Sequence, residues 1–486
     1  MNCVDYFFEK TSTSTKDFII GTHEKISFES VYEASNQVAA FLNREIGSGE
    51  KIILVGQNSV FLVTAYLGIL KSGNICVPLN PAIEQTNLDF IIKKTNAKLI
   101  FLSRIIQNKL QVDIPLITEN DYSSVLNSKH ETIAEKDIIF DSNTIAEIIF
   151  TSGSTSVPKG VMLTHRNIIS NTESIISYLG LSDDDVMLVV LPFFYCYGLS
   201  LLHTHLRMGA QLVLNNNFMF LASTINNLNK YNCTGFAGVP SHFQILLRKT
   251  ELFKKSNFPS LRYVTQAGGK LHSSFINEFA YSFPSIKFFV MYGQTEATAR
   301  LSYLPPEILT KKMGSIGKGI PEVTLKVVNE YGNEVQPGVV GEIVAKGENI
   351  MAGYYDDPEE TSKALQNGWL HTGDLGTIDE DGYIYLTARK KEIIKVGGKR
   401  ISPKEIEEII QSIPEIIDCT VEGIPDEILG ESIKLTVVKN DKGDYLTENY
   451  IRDYCSSRLS PYKIPSVIEF KESTALNAAG KKIKSQ

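Results

Sequence analysis

The sequence predicts an α/β fold. A large N-terminal domain of helix-covered sheets, with a β-rich subdomain, precedes a small α+β C-terminal domain. Short apolar runs, most followed by a helix-compatible stretch, recur along much of the 486-residue chain, a pattern typical of parallel sheets covered by helices. Between residues 314 and 385, short β-like runs are separated by Gly, Pro and Asn turns. After Thr387 the chain has its own pattern of helices and strands, and its length suits a small domain.

Each predicted strand is a short run dominated by apolar residues. In chain order the predicted strands are 51–55, 75–78, 99–102, 148–150, 160–163, 186–190, 211–214, 263–266 and 287–290, then 324–328 and 341–345 in the β-rich subdomain, and 419–423 and 433–438 near the C-terminus. The predicted helices include 60–70, 403–413 and 448–458.

The composition excludes several classes of protein. Hydrophobic residues make up 43% and charged residues 21%, as in ordinary globular proteins. The net charge of −7 and the lack of a long basic block argue against nucleic-acid binding. The uncharged stretch 186–202 is short for a membrane span and is interpreted as a strand, a loop and the start of a helix. The N-terminus lacks the pattern of a signal peptide, and the six cysteines form no CxxC, so we expect a cytoplasmic protein with reduced thiols.

A loop rich in hydroxyl groups lies between the strands 148–150 and 160–163. It runs through Thr151 and Ser152 to Ser156, and Lys159 closes it. Backbone N–H groups, hydroxyls and one fixed positive charge can together wrap a phosphate. A Walker A loop is excluded, because Pro158 precedes the lysine and a glycine follows it. A Ser/Thr-rich surface turn is the alternative.

The loop resembles the phosphate-binding signature Ser-Gly-Thr/Ser-Thr-Gly-x-Pro-Lys-Gly of the AMP-forming adenylating enzymes. These include acyl-CoA synthetases, luciferase and the adenylation domains of nonribosomal peptide synthetases. The chain departs from the signature at Ser156, where the family usually has Gly. The resemblance implies that the nucleotide's phosphates contact Thr151, Ser152, Gly153, Ser154, Thr155 and Lys159.

A second motif, Tyr292-Gly293-Gln294-Thr295-Glu296, follows the predicted strand 287–290. We expect it on a loop at the end of the strand, where α/β folds bind ligands. Tyr292 offers a flat face for a purine, Thr295 a hydroxyl for a phosphate, and Glu296 a hard oxygen ligand for Mg²⁺. Alone, Thr-Glu also fits a helix N-terminus. The family's Tyr-Gly-x-Thr-Glu has these three roles, and the match, Gly293 included, is complete.

Three further segments complete the predicted nucleotide site. Asp374 lies in a Thr-Gly-Asp sequence, which in the family binds the ribose, although an Asx turn is the alternative. Arg389 matches an arginine that contacts ribose or phosphate, with Ala388 where the family usually has Gly. Gly268 and Gly269 resemble a segment beside the adenine, although a plain turn fits nearly as well.

The C-terminal region resembles the family's mobile domain. Lys481 follows Gly480 and matches the lysine that bridges the carboxylate and ATP, although its flanking residues match poorly and a solvated basic tail is the alternative. Lys391 matches the hinge of the domain rotation, where a solvated linker residue is the alternative. Gly397 and Gly398 would line the passage for a thiol.

The resemblance implies that the protein activates a carboxylic acid with ATP and Mg²⁺ and then transfers the acyl group to the thiol of CoA. The catalytic residues would be Lys481, Glu296, Thr295 and Lys159. Residues 1–390 would form the adenylation domain and 391–486 the lid. One alternative is a stand-alone adenylation enzyme that loads the phosphopantetheine of a carrier protein. The other is a non-catalytic binding module. No nucleic-acid partner and no membrane span are expected.

The acid is expected to bind beside the segment 191–200, which resembles the start of the family's acyl pocket. Amino-acid adenylation domains have an Asp there that pairs with the substrate ammonium, and this chain has Tyr195. A buried ammonium without a partner is costly, so α-amino acids should be poor substrates. The predicted lining, which suits an uncharged aryl or alkyl chain, is Tyr195, Tyr197, Gly198, Val239, His242 and Phe243. Core packing of these aromatics is the alternative.

Overall fold

A computed structural model describes residues 1–21, 24–127, 140–151 and 158–473. The strands are β1 (Asp17–Ile20), β2 (Lys25–Ser27), β3 (Lys51–Val55), β4 (Ile75–Leu79), β5 (Leu99–Leu102), β6 (Leu116–Ile117), β7 (Ile145–Thr151), β8 (Lys159–Thr164), β9 (Val186–Val189), β10 (Gln211–Leu214), β11 (Gly235–Gly238), β12 (Tyr263–Gln266), β13 (Lys287–Tyr292), β14 (Ser302–Leu304), β15 (Ser315–Gly319), β16 (Thr324–Val328), β17 (Gly341–Lys346), β18 (Gly353–Tyr354), β19 (Leu365–Gln366), β20 (Trp369–Ile378), β21 (Ile384–Arg389), β22 (Ile394–Val396), β23 (Lys399–Ile401), β24 (Ile416–Asp426), β25 (Gly430–Lys439) and β26 (Val467–Phe470).

The α-helices are α1 (Cys3–Phe8), α2 (Phe28–Glu45), α3 (Val60–Lys71), α4 (Gln85–Thr95), α5 (Arg104–Gln107), α6 (Glu119–Asn127), α7 (His165–Leu179), α8 (Cys196–Met208), α9 (Leu221–Lys230), α10 (Pro240–Arg248), α11 (Glu251–Lys255), α12 (Ser273–Ser282), α13 (Pro358–Ala364), α14 (Pro403–Gln411) and α15 (Glu448–Ser456). Short 3₁₀ turns lie at Thr295–Ala297, Pro306–Ile308, Lys390–Glu392 and Pro461–Lys463.

Two large sheets form the N-terminal part of the described chain. One has the strand order β18-β8-β7-β4-β3-β5-β6. The other runs β16-β17-β20-β21-β15-β14-β13-β12-β11-β9-β10-β1-β2. Strands β10, β9, β11, β12 and β13 are parallel neighbours, whereas β13 to β17, β20 and β21 pair antiparallel. The predicted helix-covered parallel sheet and β-rich subdomain are therefore both present, continuous in one sheet.

Local sequence explains where the helices beside the site begin and end. α7 begins with a capping box, in which the Thr164 hydroxyl accepts a hydrogen bond from the backbone N–H of Asn167 and the Asn167 side chain accepts one in return. It ends at Gly180, whose φ of 60° places it in the left-handed region that favours glycine. α8 ends in the same way at Gly209. These caps end two helices that pack against each other, with α8 also packed against β9 and β10 of the larger sheet.

The strand predictions 51–55, 99–102, 211–214, 263–266 and 324–328 are confirmed to the residue. Two C-terminal strands are longer than predicted, because β24 and β25 form one long antiparallel hairpin in which residues 416–426 pair with residues 430–439. The prediction that Tyr292 lies in a loop is wrong, and the strand predicted over 287–290 is two residues longer. β13 continues through Tyr292 because it pairs with β14 up to Ser302.

The C-terminal part has a sheet of its own, β23-β22-β25-β24 with β26 beside β25. Its apolar core is drawn from residues 394–468 and includes Ile406, Val421 and Leu435, all fully buried. A separate core agrees with a large N-terminal and a small C-terminal domain. The boundary at residue 390 stays a prediction.

Polar contacts hold the two parts together. The Arg248 guanidinium donates to the carbonyl oxygens of Ile413 (3.1 Å) and Ile416, which follow α14. The Lys270 amine lies 2.7 Å from a carboxylate oxygen of Glu408. This arrangement places α14 against α10 and the loop before α12. Within the described ranges, no helix is long and apolar enough to cross a membrane.

Candidate active site

The predicted ribose-binding carboxylate belongs to a cluster where the middle of β20 pairs with the end of β21. Asp374 pairs with Arg389 in the register of these strands. The Arg389 Nε donates to Asp374 Oδ1 at 2.9 Å, and the Tyr292 hydroxyl donates to Asp374 Oδ2 at 2.8 Å. Burial and the adjacent carboxylate raise the pKa of Tyr292 well above its usual value, so its hydroxyl keeps the proton that it donates. The structure thus brings together three residues that the sequence predicts from separate motifs.

The backbone around Asp374 is fixed by its own sequence. The Thr372 hydroxyl accepts a hydrogen bond from the Asp374 N–H at 3.1 Å and donates to the carbonyl of Ile343. Gly373 has a φ of 72°, which favours glycine. The side chain of Asp374 is only 5% exposed, whereas that of Arg389 is about half exposed. The cluster therefore presents a buried anion next to an accessible guanidinium.

The loop after β13 is too tight for a side chain at Gly293. A Cβ there would lie 2.0 Å from the carbonyl oxygen of Ala299. The loop then turns through Thr295–Ala297, and the Thr295 hydroxyl lies 3.6 Å from the Cys196 sulfur at the start of α8. The predicted phosphate-binding hydroxyl is thus in contact with the helix expected to begin the acyl pocket.

Glu296 is held from two sides. Its carboxylate accepts a hydrogen bond of 2.8 Å from the Tyr354 hydroxyl, and its carbonyl accepts one of 2.9 Å from the Met351 N–H. Burial and the Glu296 carboxylate raise the pKa of Tyr354, which therefore remains a donor. Within the described ranges, no group of three or more His, Cys, Asp or Glu side chains could form a metal site. One carboxylate nevertheless suits Mg²⁺, which proteins usually hold through one or two carboxylates plus substrate phosphates.

Lys159 begins β8 and is the register partner of Thr151 at the end of β7. Its ammonium forms an ion pair with Glu360 and lies 5.5 Å from the centre of the Tyr354 ring. Hydrogen bonds from Lys159 and then Lys363 lower the pKa of Glu360 to about 2. The residues between the two strands that were predicted to bind phosphate, Ser152, Gly153, Ser154 and Thr155, lie outside the described residues, as does Lys481.

The remaining glycines and the hinge candidate lie in turns. Gly268 has a φ of 83° directly after β12, and the carbonyl of Gly269 accepts a 2.7 Å hydrogen bond from the Gln266 amide. Lys391 lies in the 3₁₀ turn after β21. Gly397 and Gly398 form the turn between β22 and β23 with φ values of 54° and 79°.

The predicted acyl-pocket residues separate into two groups. Tyr195 precedes α8 and Tyr197 lies in its first turn, where the Tyr197 hydroxyl donates to the carbonyl of Thr265 at 3.0 Å. Gly198 is required by packing, since a Cβ there would lie 2.0 Å from the carbonyl oxygen of Pro192. This first group adjoins Thr295.

The second group lies at α10. The backbone N–H of Val239 donates to His242 Nδ1 at 3.3 Å, and burial lowers the pKa of His242 to about 4. Phe243 is fully buried in an aromatic cluster with Phe236 and Phe288. These contacts agree with the core-packing alternative, and a role of Phe243 in the acyl pocket stays a prediction.

Two charged residues beside the site were missed from the sequence. Glu360 pairs with Lys159. In the sequence it is one of two acidic residues in the first turn of α13, and this pattern does not indicate which residue it pairs with. Arg300 is 2% exposed, and its Nε donates to the Tyr178 hydroxyl at 3.2 Å. A signal was available for Arg300, because it is the one charged residue in the stretch 297–306.

Comparison with known proteins gives consistent matches. Residues 8–355 match the AMP-binding enzyme family, and residues 405–481 match the AMP-binding enzyme C-terminal domain. An oxalate–CoA ligase of Arabidopsis thaliana is 31% identical over 456 residues, covering 90% of this chain and 87% of the relative. A long-chain-fatty-acid–CoA ligase of Salmonella typhimurium is 28% identical over 98% of this chain and 92% of its own length.

The fold is also similar to solved structures. The o-succinylbenzoate coenzyme A synthetase of Bacillus subtilis in complex with ATP and magnesium superposes with a TM-score of 0.85 at 26% identity, covering 99% of this chain and 98% of that one. In complex with its acyl-adenylate intermediate, the same enzyme gives a TM-score of 0.86 at 25% identity, over 99% and 96% of the two chains.

Proposed function

Because the chain belongs to the AMP-binding enzyme family, we propose that the cluster of Tyr292, Asp374 and Arg389 binds the nucleotide on which the family's reaction depends. The protein is an AMP-forming acid–thiol ligase. It forms an acyl adenylate from a carboxylic acid and ATP, releases pyrophosphate and transfers the acyl group to CoA. The observation that carries the proposal is the Asp374 carboxylate, held between Tyr292 and Arg389 at the positions of the family's motifs.

In the first half-reaction, a carboxylate oxygen attacks the α-phosphorus of ATP and pyrophosphate leaves. An anion approaches a polyanion, so catalysis consists mainly of positioning and charge neutralisation. Asp374 and Arg389 would hold the ribose side, and Thr295 and Lys159 the phosphates. To bind the phosphates, the Lys159 ammonium must leave the Glu360 carboxylate and contact phosphate oxygens instead. Bound Mg²⁺ would neutralise phosphate charge, with Glu296 as its protein ligand.

In the second half-reaction, the thiol sulfur attacks the acyl carbonyl and AMP leaves with the bonding electrons. We propose that Lys481 serves only the first half-reaction and that the chain turns at Lys391 between the two. Gly397 and Gly398 would then admit the thiol. A carrier-protein phosphopantetheine as acceptor is the alternative to free CoA. The six free cysteines fit the reducing cytoplasm, which we propose as the location.

The acid itself differs among relatives, whose names run from oxalate to long-chain fatty acids. Tyr195 stands where amino-acid adenylation domains have an aspartate. We therefore propose an acid without an α-ammonium group, because a buried ammonium without a carboxylate would cost several kcal/mol.

Separate assays of the two half-reactions test this proposal. Acid-dependent pyrophosphate exchange reports adenylation, and supplied acyl-AMP with CoA reports thioester formation. Lys481→Ala should lower exchange by about 100-fold or more and leave the second half-reaction intact. Lys482→Ala is the matched control, because the two lysines are adjacent. Absence of exchange with any carboxylic acid, or an equal loss in both half-reactions, would contradict the proposal. Acyl transfer to a phosphopantetheinylated carrier but not to CoA would favour the alternative acceptor.

A further inference from the structure

Arg300 is among the largest fully buried side chains of the protein, with 2% of its surface exposed. It lies between the Tyr292–Glu296 loop and β14. Its Nε donates to the Tyr178 hydroxyl at 3.2 Å, and its guanidinium carbon lies 4.7 Å from the centre of the Tyr197 ring. Across residues 1–21, 24–127, 140–151 and 158–473, no carboxylate oxygen lies within 4.0 Å of its nitrogens.

A buried guanidinium in this state lacks the partner that its chemistry requires. Arginine stays protonated in proteins, and buried charges are normally paired. The face of the Tyr197 ring attracts the cation, and the Tyr178 hydroxyl accepts from one of the five N–H donors of the guanidinium. The planar fork of donors matches a carboxylate in a bidentate geometry. The surroundings therefore suit a negatively charged ligand.

The position of Arg300 relates it to the acid rather than to the nucleotide. Tyr197, which it contacts, lies in the first turn of α8, and the preceding Cys196 lies 3.6 Å from the Thr295 hydroxyl. Tyr197 in turn donates to Thr265 on β12. On the same face of β12, Tyr263 has a fully buried hydroxyl that finds no hydrogen-bond partner in the described part of the chain. Polar groups are thus present in the layer between α8 and β12.

We propose that Arg300 binds a second carboxylate at the far end of the acid, so that the preferred substrates are dicarboxylic acids. The reacting carboxylate would face Thr295, and the distal carboxylate would accept from the guanidinium beside Tyr197. This inference rests on the proposed function, whose acid site it specifies. It replaces the sequence-based expectation that the acid carries an uncharged aryl or alkyl chain, because Arg300 would add a cation to a pocket lining that is otherwise largely apolar.

The test measures kcat/KM for pyrophosphate exchange with matched acids of equal length, butyrate against succinate and hexanoate against adipate. We expect the wild-type protein to prefer the dicarboxylate of at least one pair by about tenfold or more. Arg300→Met keeps an unbranched apolar side chain in the same space and should lower dicarboxylate exchange by about 100-fold, with monocarboxylate exchange and the KM for ATP within about twofold. Arg300→Lys keeps the charge and should retain part of the preference.

The outcomes separate this inference from the proposed function. If uncharged acids are activated and preferred by the wild type, or if the folded Met variant loses both kinds of acid equally, Arg300 is a packing residue and the inference fails while acid activation stands. Should Arg300→Met fail to fold, Arg300→Lys decides: a reduced preference for the dicarboxylate supports the inference, and an unchanged preference overturns it, because lysine lacks the planar fork of donors. No exchange with any carboxylic acid would overturn the proposed function and the inference with it.

Discussion

Glu147 lies in β7 and Arg300 lies in the segment before β14. Both are buried ionisable residues, and neither has an oppositely charged partner among the residues described. Glu147 is 1% exposed in β7 and accepts a hydrogen bond of 3.0 Å from the Tyr66 hydroxyl. Burial raises its pKa from 4.5 to about 7, so the carboxyl can give up its charge near neutral pH. A guanidinium cannot do so. Burial is thus tolerated at Glu147 by protonation, whereas Arg300 stays charged and, in our proposal, is neutralised by the distal carboxylate of the acid.

Asp374, in the predicted nucleotide site, is a third buried ionisable residue. At Asp374 and Arg389 both charges are present in the protein, 2.9 Å apart. Because these two charges neutralise each other, the pair can bind the neutral hydroxyls of a ribose and needs no charge from the ligand. The contrast indicates that the protein supplies its own counter-charge on the nucleotide side and leaves it to the substrate on the acid side.

The largest effect is expected when Asp374, the carboxylate partner of the Arg389 guanidinium, is removed. Asp374→Ala would leave Arg389 without its carboxylate and remove the acceptor for the ribose. We expect kcat/KM for ATP in pyrophosphate exchange to fall by about 100-fold or more, with the KM for the acid little changed. Asp379→Ala is the matched control, because Asp379 follows the same strand and pairs with Lys312 at 2.8 Å. Equal losses in the two variants would contradict the role of Asp374.

An intermediate effect is expected at Glu147, and it depends on pH. The raised pKa means that the folded state keeps a proton that the unfolded state has lost, so stability falls as the pH rises from about 4.5 to 7. Glu147→Gln is neutral at every pH. Relative to the wild type it should gain about 2 to 3 kcal/mol in free energy of unfolding between pH 5 and pH 8.

Urea unfolding at the two pH values measures this difference. Glu84→Gln is the control, because Glu84 is exposed at the start of α4 and its change should be small. If the advantage of Glu147→Gln is the same at both pH values, the buried carboxyl does not titrate as described and its contrast with Arg300 disappears.

The smallest effect is expected at Glu360, where an ion pair is partly exposed. Glu360→Gln should free Lys159 for phosphate and lower the KM for ATP by about two- to fivefold, since such pairs contribute up to about 1 kcal/mol. The matched control is Glu359→Gln, because Glu359 pairs with Lys363 instead. A raised KM in Glu360→Gln would mean that Glu360 positions Lys159 for ATP rather than competing with it.

Much of the fold and part of the site follow from the sequence alone. Apolar runs such as residues 99–102 predict strands well, because a strand buried on both faces has few polar positions. The separate motifs of Tyr292, Asp374 and Arg389 are predicted to meet, and they do so where the ends of β13 and β21 lie beside the middle of β20. What the sequence does not reveal is pairing across the fold. The contact of Lys159 with Glu360 joins residues 201 positions apart, and no spacing encodes it.

Two further outcomes depend on packing rather than on pattern. Phe243 belongs to the core because the rings of Phe236 and Phe288 surround it, which a one-dimensional pattern cannot distinguish from a pocket wall. Arg300 is conspicuous as a lone charge in an uncharged stretch, but its burial against Tyr197 is visible only in three dimensions. The proposal of a dicarboxylic acid therefore rests on the structure rather than on the sequence.

A competition among acids tests whether the protein activates dicarboxylic acids with ATP and transfers them to CoA. The protein is incubated with ATP, Mg²⁺, CoA and an equimolar mixture of butyrate, succinate, hexanoate and adipate, and the CoA thioesters are identified by mass spectrometry. We expect ATP-dependent thioester formation dominated by products that retain a free carboxylate. Thioesters dominated by butyryl and hexanoyl groups, or the absence of any CoA thioester, would contradict it.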